Sequence, residues 1–553
     1  MAGQFACNPW RSDEEWIKVS TALPPTPTIT HTDYGLTRIL SACYNDMPVE
    51  IKTCLLYFSI FPRGQKISRK RLTRRWMSDG FVSEQEGLNA EEVAEAYLNH
   101  LIRRKVLRAV DHNSDGKVKS YQVIHDKISE YIVSKAREEN FVTAIGGWVM
   151  PPSSRKIRRL SIQFSGLKYR KELLIMNLSH VRDMTMFGSL KQLSHNSKFG
   201  VMQVLDLEGC SGFKHQHSED ICGMLLLKYL SLRGTDIRIL PVRIEDLLCL
   251  ETLDIRETDV IELPAAICNL ERLVNIFGGN KRTKKALKLP RALGKWKKMK
   301  ALRILKGVEI GEEMTANLEH LTDLRKLSIY KLNSDKEGRI FRALCSSIQL
   351  LNDFYLRTLV IHDESSEFFT SLNVLSPPPK LLNALELSGK LVELPKWITK
   401  MDALTKLTLS SMALRADNVE LLSKIHSLFS LTFSLNAAKQ DQETAAILED
   451  NKACPDGEIL FPVGGFEKLK LLRFFVPYVP RLSFPDGAMP TLERLELLFS
   501  NFEGIVGIRG LKNLRQVHIK VHDDEASETT KSKIKEMATT AREDRMGPKI
   551  IID

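Results

Sequence analysis

Apolar residues recur at fixed intervals in the middle of the chain, and the whole arrangement repeats after 23 residues. The clearest copies are 227–241 and 250–264, each of the form Leu-x-x-Leu-x-Leu/Ile-x-x-Thr-x-Ile/Val-x-x-Leu-Pro. A Leu-x-Leu step places two side chains on the same face of a short strand. One such coil cannot cover its own apolar face, so successive coils must stack on one another.

A fixed period of this length predicts a leucine-rich-repeat solenoid, an α/β horseshoe that we place at 149–522. The charged stretch from Asn436 to Pro462 is predicted to be an insertion, and 523–553 a capping helix with a tail. Looser copies of the strand core flank the regular ones at Leu160 and Ile162, Met184 and Met186, Leu205 and Leu207, Leu327 and Ile329, Leu359 and Ile361, Leu385 and Leu387, Leu407 and Leu409, Leu431 and Phe433, Leu472 and Phe474, Leu495 and Leu497, and Val517 and Ile519.

A helical period replaces the repeat in the first part of the chain, from Tyr34 onward. The pattern predicts three helices, with Pro48 starting the second and Ser68 capping the third, and then a fourth from Ala90. Two strands follow around a polar turn, and Asp126 begins a last helix. This order predicts a mainly α winged-helix domain at 34–148. Residues 1–33 are too few for a core of their own, and we expect them to be the remnant of an upstream helical subdomain with a linker.

The amino-acid composition restricts the class of protein but does not identify a ligand. Lys and Arg number 80 against 68 Asp and Glu, a net charge of +12 that permits anionic partners without requiring them. No stretch approaches the roughly 18 apolar residues of a membrane span. Nine cysteines without a Cys-x-x-Cys pair predict reduced, mostly buried thiols in an intracellular protein. We expect no enzyme, because no Ser-His-Asp order, paired carboxylates on a shared helix face or nucleophile elbow is evident. We expect no metal site, because His100, His125 and Asp126 form at best an incomplete ligand set.

The most uneven charge lies at 281–300, which holds ten Lys or Arg and no acid. It is open to interpretation as a nuclear import signal, a nucleic-acid contact, an acidic docking site or the solvated edge of a repeat. We predict a partner contact there, and the candidate residues are Lys281, Arg282, Lys284, Lys285, Lys297 and Lys298.

A second basic cluster lies on the third predicted helix. In DNA-binding winged helices this helix enters the major groove, so DNA binding is the least favoured of our alternatives rather than an excluded one. The same helix also carries Leu72 and Trp76, which the core requires. The cationic residues are Arg69, Lys70, Arg71, Arg74 and Arg75.

Two segments, from Asp46 to Pro62 and from Arg71 to Val82, carry a specific resemblance. They resemble the winged-helix subdomain of plant nucleotide-binding leucine-rich-repeat immune receptors. Ile124-His125-Asp126 falls where that family has its Met-His-Asp motif, here with Ile in the first position. The resemblance implies that His125 contacts the phosphate of bound ADP and holds an off state, with Asp126 supporting the start of the helix.

One element of the family pattern is not found in the sequence. The family builds its nucleotide pocket mainly from an upstream domain with the motif Gly-x-x-x-x-Gly-Lys-Ser/Thr, whose backbone N–H groups cradle phosphates. This chain therefore resembles the C-terminal part of a receptor. We expect no cofactor for the chain alone, although the full-length family binds ADP or ATP.

The resemblance also implies a role in defence against pathogens. The repeats would bind a pathogen effector, a guarded host protein or the receptor's own nucleotide-binding module, in the cytoplasm, the nucleus or at the plasma membrane. The alternative is a leucine-rich-repeat adaptor that binds proteins without nucleotide switching.

Overall fold

The computed structural model describes most of the chain and divides it into two compact units. The first comprises Met1–Asn113, Lys117–Val260 and Asn269–Ile276, and the second Ser114–Gly116, Ile261–Cys268 and Phe277–Asp553. None of the described helices is both long enough and apolar enough to cross a membrane. The described residues are 32–85, 87–112, 117–146, 156–164, 176–190, 199–283, 285–291, 294–332, 339–362, 379–391, 394–412, 416–435, 458–521, 528–542 and 548–552. The predicted remnant at 1–33 lies almost wholly outside them.

The first unit begins with the predicted order of helices followed by a hairpin. The 3-10 turn Tyr57–Ile60 extends the second helix, and β1, β3 and β2 form an antiparallel sheet in that order. The elements are α1 (Thr32–Asn45), α2 (Val49–Leu56), β1 (Ile67–Ser68), α3 (Arg69–Ser78), α4 (Ala90–Arg103), β2 (Leu107–His112), β3 (Val118–Val123) and α5 (Asp126–Glu138).

The ends of α3 and α4 test the capping residues that were predicted from the sequence. Gly80 ends α3 with a φ of +81°, a left-handed conformation that glycine adopts without steric cost. Ser68 occupies the N-cap of α3, but its side chain makes no capping hydrogen bond, so that part of the prediction is wrong. Asn89, which the sequence analysis did not identify, instead caps α4 through a reciprocal bond pattern with Glu92.

A parallel sheet forms the rest of the first unit and starts earlier than predicted. Its first strand pairs with the second from Thr143, six residues before the expected boundary at 149. At the outward positions, Thr185, Asp206, Ser231 and Asp254 stand in register on neighbouring strands. The strands are β4 (Thr143–Ile145), β5 (Arg159–Phe164), β6 (Asp183–Gly188), β7 (Val204–Asp206), β8 (Tyr229–Ser231), β9 (Thr252–Asp254) and β10 (Asn275–Phe277).

The two regular copies form equivalent coils. Leu230, Leu232, Leu253 and Ile255 are each at most 1% exposed, which confirms the predicted register. The repeating threonine has a structural role, because the Thr235 hydroxyl donates to the Leu232 carbonyl at 2.7 Å and Thr258 makes the same bond to Ile255. The helix α6 (His215–Cys222) and the 3-10 turn Val242–Asp246 lie on the return side of these coils.

The second unit contains a parallel sheet whose strands show the same alternation of buried and outward residues. Leu327, Leu359, Leu385, Leu407 and Leu431 are in register on successive strands and are buried. The strands are β11 (Leu287–Lys288), β12 (Ile304–Ile310), β13 (Lys326–Leu332), β14 (Thr358–His362), β15 (Ala384–Leu391), β16 (Lys406–Met412), β17 (Ser430–Ser434), β19 (Leu471–Phe475), β22 (Arg494–Phe499), β25 (Gln516–Val521) and β26 (Lys549–Ile552).

Helices and short strands complete the return side of the second unit. β18 (Glu458–Leu460), β21 (Arg481–Ser483) and β24 (Ile505–Val506) form a small parallel sheet, and β20 (Tyr478–Val479) pairs with β23 (Asn501–Phe502). The predicted insertion therefore ends in a strand, while 436–457 lies outside the described residues. The helices are α7 (Glu312–Leu318), α8 (Arg339–Phe354), α9 (Ala416–Ser423) and α10 (Glu528–Arg542), the last at the predicted cap.

The cysteines agree with the prediction of reduced, mostly buried thiols. Seven cysteines are described, all of them free, and five of these are buried. Burial raises the pKa of the Cys210 and Cys222 thiols to about 12, which keeps both protonated at neutral pH. Cys7 and Cys454 lie outside the described part of the chain.

Candidate functional site

Arg75 of α3 lies at the centre of a buried polar cluster that joins the winged helix to the first coils. Its Nη1 donates to Asp206 Oδ2 at 2.8 Å, and its Nη2 donates to Asp183 Oδ1 at 3.1 Å and to Thr185 Oγ1 at 2.5 Å. Its Nε donates to the Tyr57 hydroxyl at 2.9 Å, and that hydroxyl bonds Asp183. The side chains of Arg75, Asp183 and Asp206 are 0% exposed. An arginine side chain carries five N–H donors in a rigid planar group, so it can bond several acceptors at once, as Arg75 does here.

Neighbouring contacts extend this cluster in both directions. Arg71 Nε donates to Asp206 Oδ2 at 2.7 Å, and its Nη1 lies 3.2 Å from Glu208 Oε2. At the other end, Arg159 of β5 donates through Nε to Oδ2 of Asp79, the residue that follows α3, at 2.7 Å. We name this set the arginine cluster: Tyr57, Arg71, Arg75, Asp79, Arg159, Asp183, Thr185, Asp206 and Glu208.

Burial and pairing oppose each other in the electrostatics of this cluster. Burial acts to raise the pKa of Asp206, but Arg71 and Arg75 outweigh it and hold that pKa below its ordinary value. Burial raises the pKa of Asp79 to about 6, because Arg159 offsets only part of the desolvation. The ion pairs of Arg75 therefore favour the charged state of Asp206, whereas Asp79 remains costly to ionise.

The arginine cluster bears directly on the DNA-binding alternative. Arg71 and Arg75 point at outward positions of the first coils, so the helix face that enters the major groove in DNA-binding winged helices is occupied by the chain's own repeats. Arg69 is also paired within the winged helix, with Glu95. The contact between α3 and the first coils was not predicted from the sequence, although Leu205-Asp206-Leu207 places an acid at an outward strand position.

His125 and Asp126 lie together at the start of α5, and both are exposed. His125 is the N-cap residue, and its Nδ1 accepts a hydrogen bond from the Lys127 backbone N–H at 3.1 Å. An imidazole that accepts at Nδ1 carries its proton at Nε2 when neutral, so the opposite edge of the ring is a donor. Asp126 in the first turn suits the positive end of the helix, as the resemblance implied. The nucleotide role of both residues stays a prediction.

The basic candidates lie in the second unit, after β10 and on the 3-10 turn Lys295–Lys298. Lys281, Arg282, Lys285, Lys297 and Lys298 are all exposed. Lys281 is not a simple solvated cation, because its ammonium group bonds Glu386 Oε1 at 2.5 Å. Lys284 lies outside the described residues. The structure thus brings five of the six predicted contact residues to the surface, and their partner stays a prediction.

His100, one of the three residues considered as metal ligands from the sequence, makes a hydrogen bond within its own helix region. His100 Nε2 accepts a hydrogen bond from Arg104 Nε at 2.9 Å, which occupies one of its two possible metal-binding nitrogens. Across the described ranges, no group of three His, Cys, Asp or Glu residues is arranged to hold a metal ion.

Comparisons with known proteins agree with both parts of this architecture. The family described as "Leucine-rich repeat region" matches residues 180–546, about two thirds of the chain. The family described as "Disease resistance protein Winged helix domain" matches residues 60–132. That range contains α3 with Arg71 and Arg75, and the first half of α5 with its cap His125.

Several curated proteins of Oryza sativa subsp. japonica are similar to the chain. Disease resistance protein Pik-2 is 50% identical over 100% of this chain and 57% of its own length. Disease resistance protein RGA5 is 28% identical over 88% of this chain and 43% of its own length, and disease resistance protein RGA4 is 29% identical over 93% and 50%. The chain thus spans between 43% and 57% of the length of these relatives. The chain belongs to the leucine-rich-repeat family, and its winged-helix domain is of the kind found in disease resistance proteins.

Proposed function

We propose that this chain is the recognition and switching part of a plant intracellular immune receptor that acts in the cytoplasm. The observation that carries the proposal is the 50% identity, along the whole chain, to a rice disease resistance protein. The repeats would bind a pathogen effector or a guarded host protein and, without that ligand, restrain the signalling module.

The arginine cluster supports a route from ligand to switch. Arg75 ties α3 to β6 and β7, and Trp76 of α3 shares one apolar core with Ile132 of α5. A ligand that moves the first coils would move α3 with them, because separating the two would leave buried charges unpaired. Since α5 begins at His125, the same movement would reposition the proposed phosphate contact. The ligand would act by its different affinity for a closed and an open state.

The proposed cofactor of the full-length receptor is ADP in the closed state and ATP in the open state. His125 suits a phosphate contact because the residue is exposed and its Nδ1 is used by the helix cap, which leaves the Nε2–H of the neutral ring as the donor. The test is His125→Ala in a full-length receptor, which should increase ligand-independent defence signalling in leaf tissue. If signalling is unchanged while the repeats still capture their partner, the adaptor function without nucleotide switching is correct.

The basic candidates at 281–300 would contact an acidic surface of the receptor's nucleotide-binding module. Ten cations without an acid repel one another, and an opposing acidic face relieves that repulsion. Exposed charges are screened over roughly 8 Å at physiological ionic strength, so such a contact must weaken with salt.

Charge reversal tests this contact. Lys285→Glu, Lys297→Glu and Lys298→Glu together should reduce co-purification with a separately expressed nucleotide-binding half, most clearly at low salt. The matched control reverses three exposed lysines elsewhere in the second unit, Lys512, Lys520 and Lys535, and changes net charge equally. If both triple variants retain the other half equally well at every salt concentration, the basic segment is only a solvated edge.

A further inference from the structure

A short hairpin in the second unit carries the first cations of the basic segment. The Asn280 backbone N–H donates to the Lys285 carbonyl at 2.7 Å, which closes the hairpin. Asn280 Oδ1 accepts from the backbone N–H groups of Arg282 and Thr283 at 3.0 and 3.2 Å, which fixes the turn. We name residues 278–283 and 285 the strap. Its tip is an ordered turn that presents cations.

The base of the strap is pressed against β12 and β13. The Gly278 N–H donates to the Lys306 carbonyl at 2.8 Å. A Cβ added to Gly279 would lie only 2.5 Å from the Gly307 carbonyl oxygen and 3.2 Å from the Tyr330 ring. Gly279 also has a φ of +65°, so only glycine fits this close approach without strain.

The tip of the strap reaches β15. The Lys281 ammonium bonds Glu386, which is 105 residues away and occupies an outward position between the buried Leu385 and Leu387. On the intervening β14, His362 lies 4.0 Å through Nε2 from Glu386 Oε1. The strap therefore contacts β12, β13 and β15, and β14 lies between the last two.

The outward residues of the middle strands are covered. Ser328 and Tyr330 of β13 are 0% and 5% exposed, and Val360 of β14 is 7% exposed. The His362 ring packs edge-on against Tyr330, with 5.1 Å between ring centroids. A strand face of this kind is where a repeat protein binds its partners, so the strap occupies potential binding surface.

A carboxylate of a binding partner can compete with Glu386 for the ammonium group of Lys281. The Lys281 side chain is 57% exposed, whereas that of Glu386 is 21% exposed. Ion pairs open to solvent on one side are weak, and a second carboxylate can take the place of the first without leaving Lys281 unpaired. A partner rich in Asp and Glu would meet Lys281 and Arg282 together at the tip.

We propose that the strap is a docking element for an acidic polypeptide and that docking draws Lys281 away from Glu386, uncovering β13 and β14. This inference rests on the acidic contact proposed above for the basic segment and adds a conformational consequence to it. A polypeptide fits better than a nucleic acid, because single-stranded nucleic acids require exposed aromatic side chains for base stacking. The one aromatic residue of 281–300, Trp296, is 0% exposed.

Hydrogen exchange of the whole chain, followed by mass spectrometry, tests the ion pair first. Glu386→Gln and Lys281→Ala should each accelerate exchange of the Gly278 and Asn280 amides, which donate to the carbonyls of Lys306 on β12 and of Lys285 across the hairpin. The double variant Lys281→Glu with Glu386→Lys should restore slow exchange. Lys297→Ala with Lys298→Ala is the control and should match the wild type. If Glu386→Gln also matches the wild type, Lys281 does not hold the strap and the inference is overturned.

Titration with a polyglutamate peptide tests the docking step. Polyglutamate should bind, should accelerate exchange at 278–280 in the wild type, and should bind more tightly to Glu386→Gln, where no carboxylate competes. Binding without faster exchange would overturn the strap inference but leave the acidic contact intact. Failure to bind would overturn the acidic contact as well. Tighter binding of a single-stranded oligonucleotide of equal charge would overturn the assignment of a polypeptide partner.

Discussion

Arg75 and Asp206 are 131 residues apart in sequence, yet Arg75 Nη1 donates to Asp206 Oδ2 at 2.8 Å and both side chains are fully buried. This pair joins the third helix of a winged-helix domain to the second of the repeat strands that contact it. A buried charge is stable only while its partner is present, so the pair holds the two parts in one relative position.

Removing Arg75 should therefore be costly. Arg75→Ala leaves Asp183 and Asp206 buried without their main partner, and we expect the free energy of unfolding to fall by about 3–5 kcal/mol. Chemical denaturation measures it. The control is Arg272→Ala, an exposed arginine of a repeat coil, for which a change within about 0.5 kcal/mol is expected.

A double-mutant cycle locates the effect in the pair itself. The losses from Arg75→Ala and Asp206→Ala should be strongly non-additive, because the second substitution removes a charge that the first has left unpaired. Additive losses would show that the two side chains act independently and that Arg75 stabilises the domain by packing alone.

The register of the regular coils can be tested with two leucines of one coil. Leu253→Ala should lower the free energy of unfolding by about 2–5 kcal/mol, since Leu253 is 0% exposed and its truncation leaves a cavity. Leu248, five positions earlier, is 61% exposed, and Leu248→Ala should change stability by no more than about 0.5 kcal/mol. Equal effects of the two substitutions would contradict the observed register.

The buried carboxyl of Asp79 predicts a pH dependence with a definite sign. Its pKa is raised by burial to about 6 in the folded chain, against about 4 in an unfolded one, so the folded state holds the extra proton between these values. Relative to Asp79→Asn, the wild type should lose up to about 3 kcal/mol of stability as the pH rises from about 4 to about 6. Denaturation curves of both proteins across this range measure the difference. A difference that grows in favour of the wild type with rising pH would show that Arg159 outweighs burial.

The chain by itself should bind ADP or ATP weakly or not at all. The reason is the sequence, in which we find no Gly-x-x-x-x-Gly-Lys-Ser/Thr loop to supply phosphate-binding N–H groups. Isothermal titration of the purified chain with ADP should give no saturable heat, and His125→Ala should behave like the wild type. A submicromolar site would contradict this expectation.

The sequence by itself determined the kinds of element and their order. The 23-residue period predicted which leucines of the regular coils are buried, because a Leu-x-Leu strand has only one apolar face and coils of equal length stack in register. The helical period and its glycine and proline boundaries likewise predicted the winged helix. His125 and Asp126 were identified from a local motif, since the residues that begin a helix are adjacent in sequence.

Only the tertiary structure decided which charged residues meet. Arg71 and Arg75 have the composition of a DNA-reading helix, and nothing local in the sequence shows that Asp183 and Asp206 lie opposite them. The same holds for Lys281, a surface cation by composition that proves to be paired with Glu386 on β15, 105 residues away. Hydrophobic periodicity is a property of each segment, whereas the pairing of charges depends on which segments the solenoid brings side by side.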